Sequence, residues 1–498
     1  MCSFLWPNRR DRGAGSLVLA VLLVLLAVPA MAAPSAIQES VAKFGRFGTV
    51  TIYRQAAKPD KVAIFLSGDG GWNRGVVDMA RILAHEGALV VGVDIRHYEK
   101  RLAEGKEKCS YPAADLEALS QFVQRYLSYP SYRRPALLGY SSGATLAYAA
   151  LVEAPPGTFQ GGIGLGFCPD LDLKKPLCRG SGLAWRVEGK KGKLAAIKRH
   201  EGETYVFDAS SSLEEPWIVL QGTIDKVCNP KGTIDYMRDV ANGKTFVLPK
   251  VGHGYSVERN WVPQFRTAVH ELYGASPPAA VRLTDNVAGL PLVEDGGPGS
   301  GDALAVMLSG DGGWASLDRQ VGAALAAHGV PVVGLDSLRY FWTQRTPEGA
   351  ASDLSRLLRH YLDAWHKQRV VLVGYSYGAD VLPFMIHRLP ADLQRRLLLA
   401  ALISPSANVS FEFHLTDWLP GSGGRYAVAP EVEKLGALHT LCFYGREETD
   451  SICPTLPAGS VTVVRAAGGH HLGGDYDEIA DRILSAAGLG APTGTMDP

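Results

Sequence analysis

A glycine-flanked serine is the residue of this sequence best suited to nucleophilic chemistry. The pentapeptide GYSYG at residues 374–378 follows an apolar run at residues 370–373 and precedes a helical pattern that begins at Ala379. The motif is weak evidence alone, but between a buried strand and a helix it marks the sharp turn that lifts a serine hydroxyl above a sheet edge. Ser376 is therefore the predicted nucleophile.

A serine needs a base to become a nucleophile, and an acid to orient that base. In α/β-hydrolases the acid follows a late strand, and the histidine follows the last strand. Residues 441–444 read as the late strand, and the hexapeptide GREETD follows it. Asp450 is the predicted acid, because Asp225 matches it in the repeat described below. Glu447 and Glu448 remain alternatives.

The base is expected in the segment GGHH at residues 468–471, which follows a strand-like run at residues 461–464. His470 is preferred because a second Gly-His pair, ending in His253, aligns with it; His471 is the alternative. His470 would take the proton of Ser376 and return it to the leaving group.

The tetrahedral intermediate of ester cleavage needs two donors for its oxyanion. One should be the backbone N–H of Tyr377, and the other should come from the loop after the first long strand of the same half, with Asp311 and Gly312 as candidates. That loop reads SGDGGW at residues 309–314. A phosphate-binding turn is disfavoured, because the loop has neither the lysine of a P-loop nor the G-x-G-x-x-G spacing.

The chain repeats its own landmarks in one order. SGDGGW occurs at residues 67–72 and again at 309–314, and GYSSGA at 139–144 is echoed by GYSYGA at 374–379. The first half keeps a counterpart of each catalytic position, as Ser141, Asp225 and His253. This period is far too long for a solenoid and indicates a duplicated domain.

Short apolar runs that alternate with helical patterns predict the fold of each half. The runs at residues 62–66, 88–93 and 303–308 are wholly apolar, as expected of strands buried on both faces. We therefore predict tandem α/β-hydrolase-type domains, each a mostly parallel, doubly wound sheet with helices on both faces. The expected domains span residues 33–275 and 280–490.

Composition and the N-terminus bear on location. Lys and Arg balance Asp and Glu at a formal net charge of zero, so the global field does not favour nucleic acid. Residues 1–32 combine a basic start, an apolar stretch and a small-residue cleavage site, which predicts a cleaved signal peptide and a periplasmic protein. Six cysteines remain beyond Cys2, and Cys442 with Cys453 and Cys168 with Cys178 are the close pairs that are expected to form disulfides.

Two insertions differ between the halves. The one in the second half, between residues 404 and 436, carries aromatic side chains that could meet a lipid or simply pack a cap, namely Phe411, Phe413, His414 and Trp418. Its counterpart in the first half is strongly basic and suits either an anionic membrane surface or solvent, with Lys174, Lys175, Arg179, Arg186, Lys190, Lys191, Lys193, Lys198 and Arg199.

Three motifs together resemble the AcvB/VirJ virulence-protein family of Gram-negative bacteria. They are the doubled SGDGGW, GYSYGAD at residues 374–380 and GGHHLGGDY at residues 468–476. The two-domain layout resembles AcvB, and VirJ is similar to the second half alone. The resemblance implies a periplasmic hydrolase that cleaves the aminoacyl ester of lysyl-phosphatidylglycerol into lysine and phosphatidylglycerol, with Ser376 as its catalytic serine.

A lysyl substrate carries ammonium groups, so a carboxylate is expected in the pocket, and Asp380 and Asp311 are the candidates. No cofactor and no metal are expected. The expected partners are the aminoacylated lipid and an anionic membrane surface, with no direct nucleic-acid contact. The family's association with type IV secretion implies an alternative, in which the protein is a non-enzymatic adaptor or chaperone with secretion-system or virulence proteins as partners. A generic periplasmic esterase is a third interpretation.

Overall fold

A computed structural model describes most of the 498-residue chain. The described residues are 36–105, 109–179, 182–188, 202–274, 287–295, 297–299, 301–314, 316–413 and 424–490. The predicted signal peptide and the predicted domain boundary both lie outside them. None of the helices in these ranges combines the length and the apolar character that crossing a membrane requires.

The first half is built around a large, mostly parallel sheet. Its strands are β1 (Gln38–Phe44), β2 (Gly48–Arg54), β3 (Lys61–Leu66), β4 (Ala88–Val93), β5 (Ala136–Tyr140), β6 (Gly162–Leu165), β7 (Asp170–Leu173), β8 (Trp185–Glu188), β9 (Glu203–Phe207), β10 (Trp217–Gly222) and β11 (Gly243–Leu248). The large sheet has the order β1-β2-β4-β3-β5-β6-β10-β11, and β7-β9-β8 form a small separate sheet. Only the β1–β2 and β2–β4 pairs of the large sheet are antiparallel among the described strands.

The second half repeats this plan. Its strands are β12 (Leu292–Asp295), β13 (Ala303–Leu308), β14 (Val332–Leu335), β15 (Arg369–Tyr375), β16 (Leu397–Ile403), β17 (Asn408–Val409), β18 (Tyr426–Ala427), β19 (Thr440–Gly445) and β20 (Thr462–Ala466). The large sheet runs β12-β14-β13-β15-β16-β19-β20, and β17 pairs with β18 alone. Its six strands from β14 to β20 correspond in order to the six from β4 to β11, as a duplication requires.

Helices cover the sheets. Those of the first half are α1 (Arg74–His85), α2 (Ile95–Glu104), α3 (Pro112–Tyr126), α4 (Ser142–Glu153), α5 (Pro230–Met237) and α6 (Val262–Gly274). Those of the second are α7 (Ser316–Ala327), α8 (Ser337–Tyr340), α9 (Pro347–Ala364), α10 (Tyr377–Ile386), α11 (Ala391–Gln394), α12 (Ala429–Glu433) and α13 (Tyr476–Ala486).

Both faces of each sheet are buried. In β3, Ile64 belongs to one apolar cluster and the next residue, Phe65, to another. In β13, Val306 and Met307 are divided in the same way. Because successive strand residues point to opposite faces, helices must pack on each side. The predicted tandem doubly wound α/β fold is confirmed.

The two halves share one apolar cluster, which includes Leu116 of α3 and Leu354 of α9. Trp342, only 1% exposed, follows α8, and its indole N–H donates to the carbonyl oxygen of Tyr129 at 2.6 Å. The guanidinium of Arg125 at the end of α3 stacks 4.9 Å from the ring of that tryptophan. Burial of a whole indole makes this contact a main source of cohesion between the halves.

Three disulfides lie within the halves, and none of them joins one half to the other. They are Cys109–Cys178, Cys168–Cys228 and Cys442–Cys453. The expected Cys442–Cys453 pair is present. The expected Cys168–Cys178 pair is wrong. Cys168 follows β6 and Cys228 follows β10, and because these two strands are parallel neighbours in the sheet, the two cysteines lie side by side.

Candidate active site

Ser376 lies at the turn between β15 and α10, in a conformation that few serines adopt. Its backbone has φ 51° and ψ −118°, a strained region for a residue with a β-carbon. The flanking glycines are required by close approach, because a β-carbon on Gly378 would lie 2.2 Å from the carbonyl oxygen of Leu308. The turn sets the serine at the carboxyl end of the sheet, where ligands bind in open α/β folds.

His470 is the base that the structure brings to this serine. Its Nε2 lies 2.9 Å from Ser376 Oγ, a hydrogen-bonding distance. His471 turns away, and its Nδ1 lies 3.1 Å from the hydroxyl of Tyr375. The geometry therefore favours His470, the preferred candidate, over His471.

Glu448, and not Asp450, orients His470. Its Oε1 lies 2.6 Å from His470 Nδ1, and its Oε2 accepts hydrogen bonds from Ser404 Oγ at 3.0 Å and Gly445 N at 3.1 Å. Asp450 and Glu447 are exposed. The expectation that Asp450 is the acid is thus corrected.

The physical reason lies in the loop. The acid follows the last residue of its strand by three positions in both halves, Gly222 to Asp225 and Gly445 to Glu448. The second loop is two residues longer between its glycine and Cys453, and the added residues lie after the acid. Anchoring the repeat on the glycines would have selected Glu448.

The acid–base pair is tuned by its own contact. Burial acts to lower the pKa of His470, but the hydrogen bond and negative charge of Glu448 outweigh it and leave that pKa raised. Burial acts to raise the pKa of Glu448, yet the hydrogen bonds from His470 and Gly445 hold it below its usual range. Both shifts favour an ionised Glu448 that stabilises the imidazolium formed when Ser376 gives up its proton.

The glycine-rich loop lies against the nucleophile. A β-carbon on Gly310 would lie 3.2 Å from Tyr375 Cδ1 and 3.6 Å from Ser376 Cβ, which places this loop in direct contact with the elbow. Tyr377 begins α10, and the N–H groups of a first helical turn have no carbonyl of the helix to bond. Of the expected oxyanion donors, Tyr377 thus lies at the elbow, and Asp311 and Gly312 lie in the adjoining loop. Their role as donors stays a prediction.

The two carboxylates expected to meet an ammonium group differ. Asp380 is buried and accepts hydrogen bonds from the backbone N–H and the hydroxyl of Ser406, both at 2.6 Å. Burial raises its pKa to about 7 despite those bonds. Asp380 therefore supports the wall of the site, whereas Asp311 is exposed in the catalytic loop.

Aromatic side chains of the insertion pack beside the elbow. The Phe413 ring lies 4.5 Å from that of Tyr377, whose hydroxyl donates to the carbonyl oxygen of Ser410 at 2.6 Å. Phe411 packs on Phe341 and is 3% exposed. Phe411 and Phe413 serve cap packing, and His414 and Trp418 lie outside the described residues.

Helix α3 of the first half supports this second-half site. Arg125 donates to Glu412 Oε1 at 3.0 Å and to the carbonyl oxygens of Trp342 and Phe413. About two turns before Arg125, Glu117 reaches the catalytic loop, since a β-carbon on Gly312 would lie 3.5 Å from its Oε1. No local motif could have indicated either residue.

The first half assembles its predicted counterpart. His253 Nε2 lies 2.9 Å from Ser141 Oγ, and His253 Nδ1 lies 2.9 Å from Asp225 Oδ2. Asp225 and His253 also form, with Cys228, the group of metal-ligand type found in the described residues. Cys228 is bonded to Cys168, however, so its sulfur is not a thiolate ligand, and the other two serve the serine.

Comparison with known families identifies the chain. The model of the bacterial virulence protein VirJ matches residues 60–160 and 302–488, more than half of the sequence. The chain belongs to the VirJ family. The matched regions contain both serines and, in the second half, the whole triad of this VirJ-family protein.

Solved structures similar to this VirJ-family protein are α/β hydrolases. A serine hydrolase homologue from Coxiella burnetii is 15% identical, covers 48% of this chain and 97% of its own, and has a TM-score of 0.29. A serine hydrolase without a lid from Xanthomonas campestris is 18% identical, covers 50% and 98%, and has a TM-score of 0.31. No curated protein matches the sequence.

Proposed function

We propose that this VirJ-family protein is a periplasmic serine esterase that hydrolyses the aminoacyl ester of lysyl-phosphatidylglycerol. The observation that carries the proposal is the continuous chain of hydrogen bonds from Ser376 through His470 to Glu448. That chain joins a nucleophile, a base and an orienting acid, the minimum for acyl transfer.

The reaction follows from these atoms. Ser376 Oγ attacks the lysyl carbonyl carbon while its proton passes to His470 Nε2. The intermediate collapses, the bond from that carbon to the glycerol oxygen breaks, and His470 returns the proton to the departing phosphatidylglycerol. Water, deprotonated by the same histidine, then releases lysine from Ser376.

Charge supports a cationic acyl group. Neither Asp311 nor Glu117 has a hydrogen-bond or ion-pair partner among the residues that the structure describes, although Glu117 is only partly exposed. Burial raises the pKa of Glu117 well above its ordinary range, and Asp311 and Asp336 add to the effect. An ammonium group placed between these carboxylates would relieve their repulsion and restore ionisation.

The location is part of the proposal. The N-terminal segment has the features of a signal peptide. The three disulfides suit a protein of an oxidising compartment, such as the periplasm. The basic insertion of the first half suits a protein that works at an anionic lipid surface.

The test uses the purified mature protein and vesicles that contain lysyl-phosphatidylglycerol. Free lysine and phosphatidylglycerol should appear in equal amounts. Cleavage of simple neutral esters without lysine release would refute the substrate and leave a generic esterase. If neither substrate is cleaved, the enzyme proposal fails and an adaptor role gains support.

A further inference from the structure

The triad of the first half is complete and better enclosed than that of the second. The His253 side chain is 17% exposed and that of Asp225 is 0% exposed, against 42% for His470. The second carboxylate oxygen of Asp225 accepts the backbone N–H groups of Val227 at 2.8 Å and Cys228 at 3.0 Å. The acid is therefore held in place by its own loop, which the Cys168–Cys228 disulfide ties to the end of β6.

The serine of this triad is held in the same strained turn. Ser141 has φ 56° and ψ −126°. A non-glycine residue in such a conformation costs about 1–3 kcal/mol, a cost that an inert turn could avoid with a glycine. Gly68 of the first SGDGGW loop approaches closely, because a β-carbon there would lie 3.1 Å from Ser141 Cβ.

Carboxylates lie in and near the loop that approaches this serine. Asp69 is exposed in the loop next to Gly68. On α2, Glu99 carries a buried Oε1 without a hydrogen-bond partner among the described residues. Burial and the nearby charges of Asp69 and Asp172 raise the pKa of Glu99 to about 8. An unpaired carboxylate beside a catalytic loop suits a ligand that brings a positive charge.

We infer that the first half is a second, independent serine esterase site, formed by Ser141, His253 and Asp225, for carboxylic esters that carry a positive charge. The inference goes beyond the function proposed for Ser376, since no triad residue is shared. Ser141 Oγ bonds to the acyl carbon as its proton moves to His253 Nε2. The bond from that carbon to the alcohol oxygen then breaks, the alcohol leaves with that proton, and water hydrolyses the acyl-serine.

A fluorophosphonate probe counts the reactive serines without reference to any lipid. The parent protein should take up two equivalents per chain, Ser376→Ala one, Ser141→Ala one, and the double variant none. Peptide mapping should locate the remaining label on the other serine. A parent protein that takes up one equivalent, all of it lost in Ser376→Ala, would overturn the inference, whatever the result with lysyl-phosphatidylglycerol.

Substrate charge is tested in the Ser376→Ala protein, where the first half acts alone. Acetylcholine and its uncharged carbon isostere form the matched pair of esters. We expect a kcat/KM about tenfold higher for the charged ester, as a charge-assisted contact provides. Glu99→Gln should lower kcat/KM for acetylcholine more than for the isostere, so that the ratio of the two values falls toward one. Equal rates for both esters in Ser376→Ala would refute the substrate class, and hydrolysis of neither would refute the site.

Discussion

Replacement of Glu448 by glutamine tests which residue serves as the acid. In the parent protein Oε2 accepts two hydrogen bonds, from Ser404 Oγ and Gly445 N, while Oε1 faces His470 Nδ1 at 2.6 Å. A glutamine will keep its oxygen toward those two donors, which turns its NH₂ group toward Nδ1. The imidazole must then carry its proton on Nε2, the tautomer that cannot deprotonate Ser376.

The loss follows from that tautomer. An acid-to-amide change of this kind lowers kcat by a factor on the order of 10⁴, equivalent to about 5 kcal/mol of transition-state stabilisation. Loss of the carboxylate also removes the main influence that raises the pKa of His470. Since the base must be neutral, activity in the parent falls as pH drops through that raised pKa. The residual activity of Glu448→Gln should therefore persist to lower pH.

The matched control is Asp450→Asn in the same loop. Asp450 is exposed, so its charge is screened by solvent and its loss should change kcat by no more than about twofold. The rate of ester hydrolysis, measured for both variants across a pH series, shows which of the two residues is the acid. A large loss in Asp450→Asn together with near-normal activity in Glu448→Gln would refute the assignment of the acid.

Three further predictions concern residues around the site. Glu117→Gln should raise KM for lysyl-phosphatidylglycerol about tenfold, as loss of a charge-assisted contact would, and leave a neutral ester unaffected; an equal effect on both esters would contradict a role in ammonium binding. Trp342→Ala should lower the free energy of unfolding by about 3–5 kcal/mol in urea titrations, and a change below about 1 kcal/mol would show that the contact between the halves contributes little. Asp380 has its pKa raised from 3.8 to about 7 in the folded chain, so its contribution to stability is full at low pH and is lost as pH rises toward 7. Asp380→Asn should accordingly flatten the fall in stability between about pH 4 and about pH 7, and an unchanged slope would contradict the burial of that carboxyl.

The sequence was sufficient for the parts of the site that a local motif dictates. The elbow at Ser376 follows from two glycines between a strand and a helix, and His470 follows from its position after the last strand. The duplicated fold follows from apolar runs buried on both sides of a sheet. Each of these depends on neighbours within a few residues or on an internal repeat.

The missed features depend on distances that the sequence does not express. Glu448 ranked only as an alternative to Asp450 because the loops of the two halves differ in length, so Asp225 aligns with Glu448 when counted from the strand and with Asp450 when counted from the cysteine. The Cys168–Cys228 disulfide depends on which strands become neighbours. Arg125 and Glu117 reach the site only because α3 of the first half packs against the second, which no periodic pattern indicates.

The rate of lysine release by Ser376→Ala tests the central claim most directly. In the Ser141→Ala background, where the first half is inactive, Ser376→Ala should lower the rate of lysine release from lysyl-phosphatidylglycerol vesicles by a factor on the order of 10³ or more, since the remaining nucleophile is gone. The Ser141→Ala protein should still release lysine, because Ser376 is intact. Full activity in Ser376→Ala, or its loss in Ser141→Ala alone, would contradict the assignment of lysyl ester hydrolysis to the second half.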